Sequence, residues 1–171
     1  MLFIIDMQND FVDQIHGKMA VKHADQLVPN IIKKIKEYEE KKDLIFYTKN
    51  IHKNMPNDNR SLDVKHWGEE PYGELKDILS PHNYISKLNY GIPPYKSKSM
   101  FQNFDDKYME KIEIIGIETH LCILSNAIIL QNTFINSKIL IDENLCTSND
   151  LTLHNKALDI MEGLHMEVKR K

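Results

Sequence analysis

Residues 112–127, IEIIGIETHLCILSNA, decide the fold. Ile112, Ile114, Ile115 and Ile117 are β-branched and nearly continuous, the composition of a strand buried on both faces. Beyond Gly116 and a short polar segment, Cys122, Leu124, Ile128, Ile129 and Phe134 recur at helical spacing. Cys122 is thereby expected in the first turn of a helix, just past the carboxyl end of a strand. The unpaired N–H groups and positive dipole end of such a turn lower a thiol's pKa and can hold an oxyanion. Cys122 is therefore a candidate nucleophile, against the competing reading of a small buried apolar side chain.

Outward from this stretch the same alternation repeats. Residues 2–5, 44–48, 84–87 and 138–142 read as buried strands and 166–168 as an edge strand. Leu27, Val28, Ile31, Ile32, Ile35 and Tyr38 form an apolar stripe that predicts a helix over 24–42, with Asp25 as its cap and Pro29 near its first turn. Further helices are expected over 72–79, 100–109 and 150–163, the last closed by Gly163. Residues 49–67 are polar and turn-rich, a long surface loop whose content suggests a site. Strands alternating with helices imply an α/β fold: a three-layer, doubly wound, mostly parallel sheet with helices on both faces, within one domain over residues 1–171. The expected strand order is 3-2-1-4-5-6.

In that order strands one and four lie side by side where the order reverses, and the ligand crevice opens outside their carboxyl ends. Asp6 ends the first strand, Cys122 follows the fourth, and Lys87 closes the third on a long flexible stem. Taken singly, Asp6 reads as a capping acid and Lys87 as a solvated strand end. Together they supply a proton acceptor, a cation for the thiolate and a nucleophile, the set that covalent catalysis uses. Phe11, in the loop after strand one, reads as a pocket wall or as ordinary core.

The composition narrows the partners. With 42% hydrophobic and 27% charged residues, and 25 acids against 22 bases for a net charge of -3, the chain shows no basic stripe suited to nucleic acid. The apolar start MLFII is interrupted by Asp6, too short for a signal-peptide core or a membrane span, so a cytoplasmic protein is expected. In that compartment Cys122 and Cys146 are expected to remain thiols, with Cys146 structural in a loop after the fifth strand.

IIDMQNDF at the first strand, ISKLNYG around Lys87, GIETHLCILSNA around Cys122 and the later DENLCTSNDLTLHNKAL resemble the signature segments of the isochorismatase-like cysteine hydrolases, the family of nicotinamidases and related amidases. The likeness runs from residue 1 to about residue 161. It implies Asp6 as general base and acid, Lys87 as stabiliser of the thiolate, and Cys122 as the nucleophile that forms a thioester. It also implies an oxyanion hole from the backbone amides of Glu118 and Cys122 beside a cis Ile117–Glu118 peptide, and a homo-oligomer. Family members that cleave the vinyl ether of isochorismate lack the cysteine, so Cys122 favours cleavage of a carbon–nitrogen bond in a small neutral amide.

Nicotinamidases hold a divalent metal through an aspartate and histidines after strand two, where this chain has Asn50, Ile51 and His52. His66 matches a later ligand, and Asp58 is the candidate to stand in for the missing histidine. An amide and two histidines make a poor cage for a hard dication and an incomplete one for zinc. No metal cofactor is therefore expected, the alternative being a divalent metal near His52 and His66. With Phe11, His52 and Trp67 are assigned to the substrate pocket. The alternatives to a general amidase are nicotinamidase proper and a non-catalytic small-ligand binder of the same fold.

Overall fold

The computed structural model describes residues 1–51, 58–96 and 110–171. Its strands are β1 (Leu2–Ile5), β2 (Ile45–Asn50), β3 (Asn83–Lys87), β4 (Lys111–Ile117), β5 (Lys138–Thr147) and β6 (Glu167–Lys169). They form one sheet in the order β3-β2-β1-β4-β5-β6, every neighbouring pair parallel. The helices are α1 (Asn9–Val12), α2 (Val28–Glu40), α3 (Leu62–Glu69), α4 (Leu75–Leu79), α5 (Leu124–Thr133) and α6 (Leu151–Gly163). The expected α/β class and strand order are both found.

Because side chains alternate across a strand, each central strand feeds two cores. Phe3, Ile5, Ile112 and Ile114 pack with Ile123, Ala127 and Leu130 and with Leu158 and Met161 of α6. On the opposite face Leu2, Ile4, Ile115 and Ile117 pack with Ile31, Ile35 and Tyr38 of α2 and with Leu75 and Leu79 of α4. That double burial is why these strands read as continuous apolar runs.

Several expectations are revised. The helix predicted over 24–42 begins as a tight turn, Asp25–Leu27, and becomes α2 only at Val28, so Pro29 sits in the first turn where its missing N–H leaves nothing unpaired. Asp25 caps neither piece with its side chain. The buried face after β4 carries Thr119, Cys122, Ile123, Asn126, Ala127 and Leu130, while Ile128 is exposed and Phe134 lies past the helix end. A purely apolar stripe missed this face because two of its members are polar residues satisfied by internal hydrogen bonds. Strand β5 extends to Thr147 past an irregularity, with Ile114 opposite Ile141 but Gly116 opposite Cys146, so Cys146 is a buried strand residue and not a loop residue. The 49–67 segment contains α3, capped by Ser61, whose hydroxyl accepts the Val64 N–H at 3.4 Å. The helix expected over 72–79 is confined to α4, and the helix expected over 100–109 lies outside the described residues. No described helix is long and apolar enough to cross a membrane.

Gly116 sets how closely the two central strands approach at their carboxyl ends. Its φ is +119°, and a Cβ there would run into the Ile5 carbonyl oxygen. Glycine thus lets β4 close onto β1 at the level of the crevice.

Candidate active site

Asp6 leaves the end of β1 with a φ of 52° and is almost wholly buried. Its N–H donates to Thr48 Oγ1 at 3.0 Å, and the Thr48 hydroxyl donates to Asp6 Oδ1 at 2.6 Å. The Lys87 ammonium, also buried, stands 2.6 Å from Asp6 Oδ2 and 3.5 Å from Cys122 Sγ, and donates to the Asn89 carbonyl at 3.1 Å. Strands one, three and four thus bring together the acid, the lysine and the cysteine read from sequence. A lysine so placed is tolerable because a carboxylate and a carbonyl satisfy it.

The electrostatics differ from the expected lowered thiol pKa. Burial, and next the Asp6 carboxylate, push the Cys122 thiol up, and the opposing pull of Lys87 is smaller. A helix end acts strongly on an exposed thiol, but this one is only 7% exposed and faces an anion. The shift thus favours a thiol at Cys122 beside the Asp6 carboxylate.

The turn that presents Cys122 is built by hydrogen bonds. The Ile117–Glu118 peptide is cis, as the resemblance implied. The N–H groups of Leu121 and Ile123 both donate to the Glu118 carbonyl at 3.1 Å, forming a wide turn over Thr119–Ile123. The Thr119 hydroxyl donates to the Thr147 carbonyl at 3.1 Å and meets His154 Nδ1 at 2.8 Å. Asn126, fully buried, donates to the carbonyls of Cys122 at 2.7 Å and Tyr90 at 3.1 Å and accepts the Ile92 N–H at 2.8 Å, tying the loop after β3 to the turn that carries Cys122. Thr48, Thr119, Asn126 and His154 were missed in the sequence, where a polar residue inside an apolar or amphipathic run was the available signal.

A cavity of about 810 Å³ opens onto these groups and includes Asp6, Phe11, Asn50, Glu118 and Cys122 in its wall. Trp67 is not part of that wall. Its carbonyl accepts from Asn9 Nδ2 at 2.7 Å, and its ring meets His16 edge-on with centroids 6.4 Å apart. His52 lies outside the described residues.

Among the described residues the candidate donors for a metal do not form a ligand set. Asn50 offers a neutral amide, and its backbone N–H and carbonyl are held by Gln8 at 2.7 and 3.0 Å. Both oxygens of Asp58 accept from Arg60 at 3.0 Å, which holds that carboxyl down at about 2. His66 is exposed on α3. Arg60 also grips the buried Asp10 through both oxygens at 2.6 and 2.9 Å, so an organic cation already neutralises the acids of this region. Among the described residues no three His, Cys, Asp or Glu gather as a metal-holding group.

Against known proteins, the family model described as the isochorismatase domain matches residues 1–169. The nicotinamidase SaPncA from Staphylococcus aureus superposes with a TM-score of 0.78 at 22% identity, over 99% of this chain and 97% of that one. The nicotinamidase PncA from Bacillus subtilis gives 0.78 at 21% identity, over 99% and 98%. The pyrazinamidase of Pyrococcus horikoshii in complex with zinc gives 0.76 at 18% identity, over 99% and 98%. No curated protein matches the sequence. At these identities the solved structures establish the shared fold.

Proposed function

The chain belongs to the isochorismatase family of hydrolases, and from that premise we propose that it cleaves a carbon–nitrogen bond of a small amide through a thioester on Cys122. The supporting observation is the position of Lys87, whose ammonium touches both the Asp6 carboxylate and the Cys122 sulfur. As Sγ attacks the amide carbon, Asp6 takes the thiol proton, and Lys87 stabilises the negative charge passing between sulfur and carboxylate. The backbone amides of Glu118 and Cys122 hold the oxyanion of the tetrahedral intermediate. Its collapse breaks the carbon–nitrogen bond, with Asp6 returning the proton to the departing amine or ammonia. Water then attacks the thioester, Asp6 accepts its proton, and release of the acid restores the thiol.

The reaction uses no metal in this reading, since Asp58, the acid proposed as a stand-in ligand, is paired with Arg60 and Asn50 offers a neutral amide. The same reading places the enzyme in the cytoplasm as a single-domain chain that forms a homo-oligomer. Nicotinamidase proper is the second reading, favoured by the names of the structural relatives and opposed by the neutral Asn50 amide and the Arg60-paired Asp58. Ammonia release from an amide panel that includes nicotinamide, with and without added zinc or manganese, separates the two. In either case Cys122→Ala is expected to lower turnover by at least about 10³-fold while the fold is retained, since the nucleophile itself is removed. Unchanged ammonia release in that variant would sink the mechanism.

A further inference from the structure

Among the described residues, the charged ones in the cavity wall are Asp6, Lys18 and Glu118. Asp6 is paired with Lys87, and Glu118 accepts the Asn149 N–H through Oε2 at 2.8 Å. Lys18 is exposed, belongs to the cavity wall and makes no ion pair with any described residue. An ammonium at a cavity wall can receive an anionic group of a ligand as a charge-assisted hydrogen bond, which is stronger than a neutral one.

The segment that carries this lysine is braced. The Met19 and Val21 N–H groups donate to the carbonyls of Asp10 and Phe11 at 2.9 and 2.8 Å, and the Lys18 N–H donates to Asp10 Oδ1 at 3.3 Å. Asp10 is fully buried and is itself gripped by Arg60. Gly17, just before, passes so close to the Asp13, Asn9 and Asp10 carbonyl oxygens that no Cβ fits. The Lys18 backbone is thus anchored to the element that follows β1 and Asp6, and only the side-chain stem is left to adjust. A lysine on an anchored backbone loses less freedom on binding than one on a loose loop.

We propose that Lys18 selects amides that carry a carboxylate, so that the substrates are small anionic amides and not the neutral ones the sequence suggests. The carboxylate pairs with the Lys18 ammonium at one part of the cavity while the amide carbon reaches Cys122 at another. Glu118 disfavours a second negative group near the turn, which limits the class to monoanions. The turnover side of this assignment rests on the proposed amidase activity; the binding side does not.

The test uses the monoamides of dicarboxylic acids from oxalic to glutaric, each beside the neutral primary amide of matching length. Wild type is expected to favour the best carboxylate-bearing member in kcat/KM by about tenfold, the scale of one charge-assisted hydrogen bond in a partly shielded site. Lys18→Met should bring that ratio close to one through a rise in KM, and Lys18→Glu should push it below one. Added salt should raise KM for the anionic amides more than for the neutral ones. Equal ratios in wild type and Lys18→Met, or a wild-type preference for neutral amides, overturn the proposal.

Binding of the same pairs to Cys122→Ala, measured by calorimetry, separates the two readings. Binding that prefers the carboxylate and needs Lys18, without turnover by wild type, refutes the hydrolase and upholds the anion site. Turnover without that preference does the opposite, and failure of every carboxylate-bearing amide to bind overturns the anion site.

Discussion

Cys122 has two charged neighbours that act on its proton in opposite senses. The Asp6 carboxylate holds the proton on sulfur, the Lys87 ammonium favours its departure, and burial sides with the carboxylate. Because alkylation requires the thiolate, iodoacetamide should label Cys122 more slowly at neutral pH than a free thiol, whose pKa is about 8.5. The labelling rate should still be climbing above that pH. Asp6→Asn removes the anion and leaves the Lys87 charge uncompensated, so its profile should move to lower pH. Peptide mass mapping of labelling rate against pH checks both statements, and a profile unmoved by Asp6→Asn would show that the carboxylate does not govern the thiol. Asp6 was legible from sequence because an acid ending an apolar strand needs a partner, and Lys87 because of its place at a strand end. The direction of the thiol's shift was not, since it depends on which of two charges and how much solvent lie nearby.

At the scale of the element, the site depends on how tightly β4 approaches β1. Gly116 makes that approach possible at a φ of +119°, next to the irregularity in the β4–β5 register. Gly116→Ala adds a methyl group against the Ile5 carbonyl and a backbone conformation that L residues avoid. The expected cost is about 3 kcal/mol or more, read as a lower urea midpoint with the slope retained. A loss within about 0.5 kcal/mol, ordinary for a surface change, would show that β4 can move away freely. The wide turn after β4 follows the same logic, with the Thr119 hydroxyl on the Thr147 carbonyl and on His154, and Asn126 on the Cys122 and Tyr90 carbonyls. Their roles stayed hidden in the sequence because each bonds to a group far along the chain, and hydrophobic periodicity carries no record of such partners.

For the whole molecule, the consequence concerns metal. Asp58, the candidate stand-in for a missing metal ligand, is drawn into an ion-pair network, Asp58 to Arg60 to Asp10, that joins the segment before α3 to α1. Prolonged chelation followed by dialysis is therefore expected to leave both Tm and amide turnover unchanged. A drop in Tm restored by zinc or manganese would instead place a cation in the fold, because a ligand that binds only the native state raises its stability. The network itself was half legible: the sequence suggested that the Asn50 to His66 region lacks a full ligand set, but nothing local linked Arg60 to a carboxylate fifty residues earlier.

The sequence by itself determined the architecture and which three side chains, Asp6, Lys87 and Cys122, meet at the crevice. Apolar runs of strand length alternating with amphipathic runs admit few packings, and the switch in strand order then brings three separate strand ends to one crevice. Tertiary structure alone decided the rest: that burial and Asp6 push the thiol's pKa up, that Trp67 stands outside the cavity wall, that Cys146 belongs to β5, and that Arg60 pairs with Asp10 and Asp58. Each of these is set by distances and solvent exclusion among residues remote in the chain. Periodicity reports which face of an element is apolar, and it is silent about which charge on one element meets which charge on another.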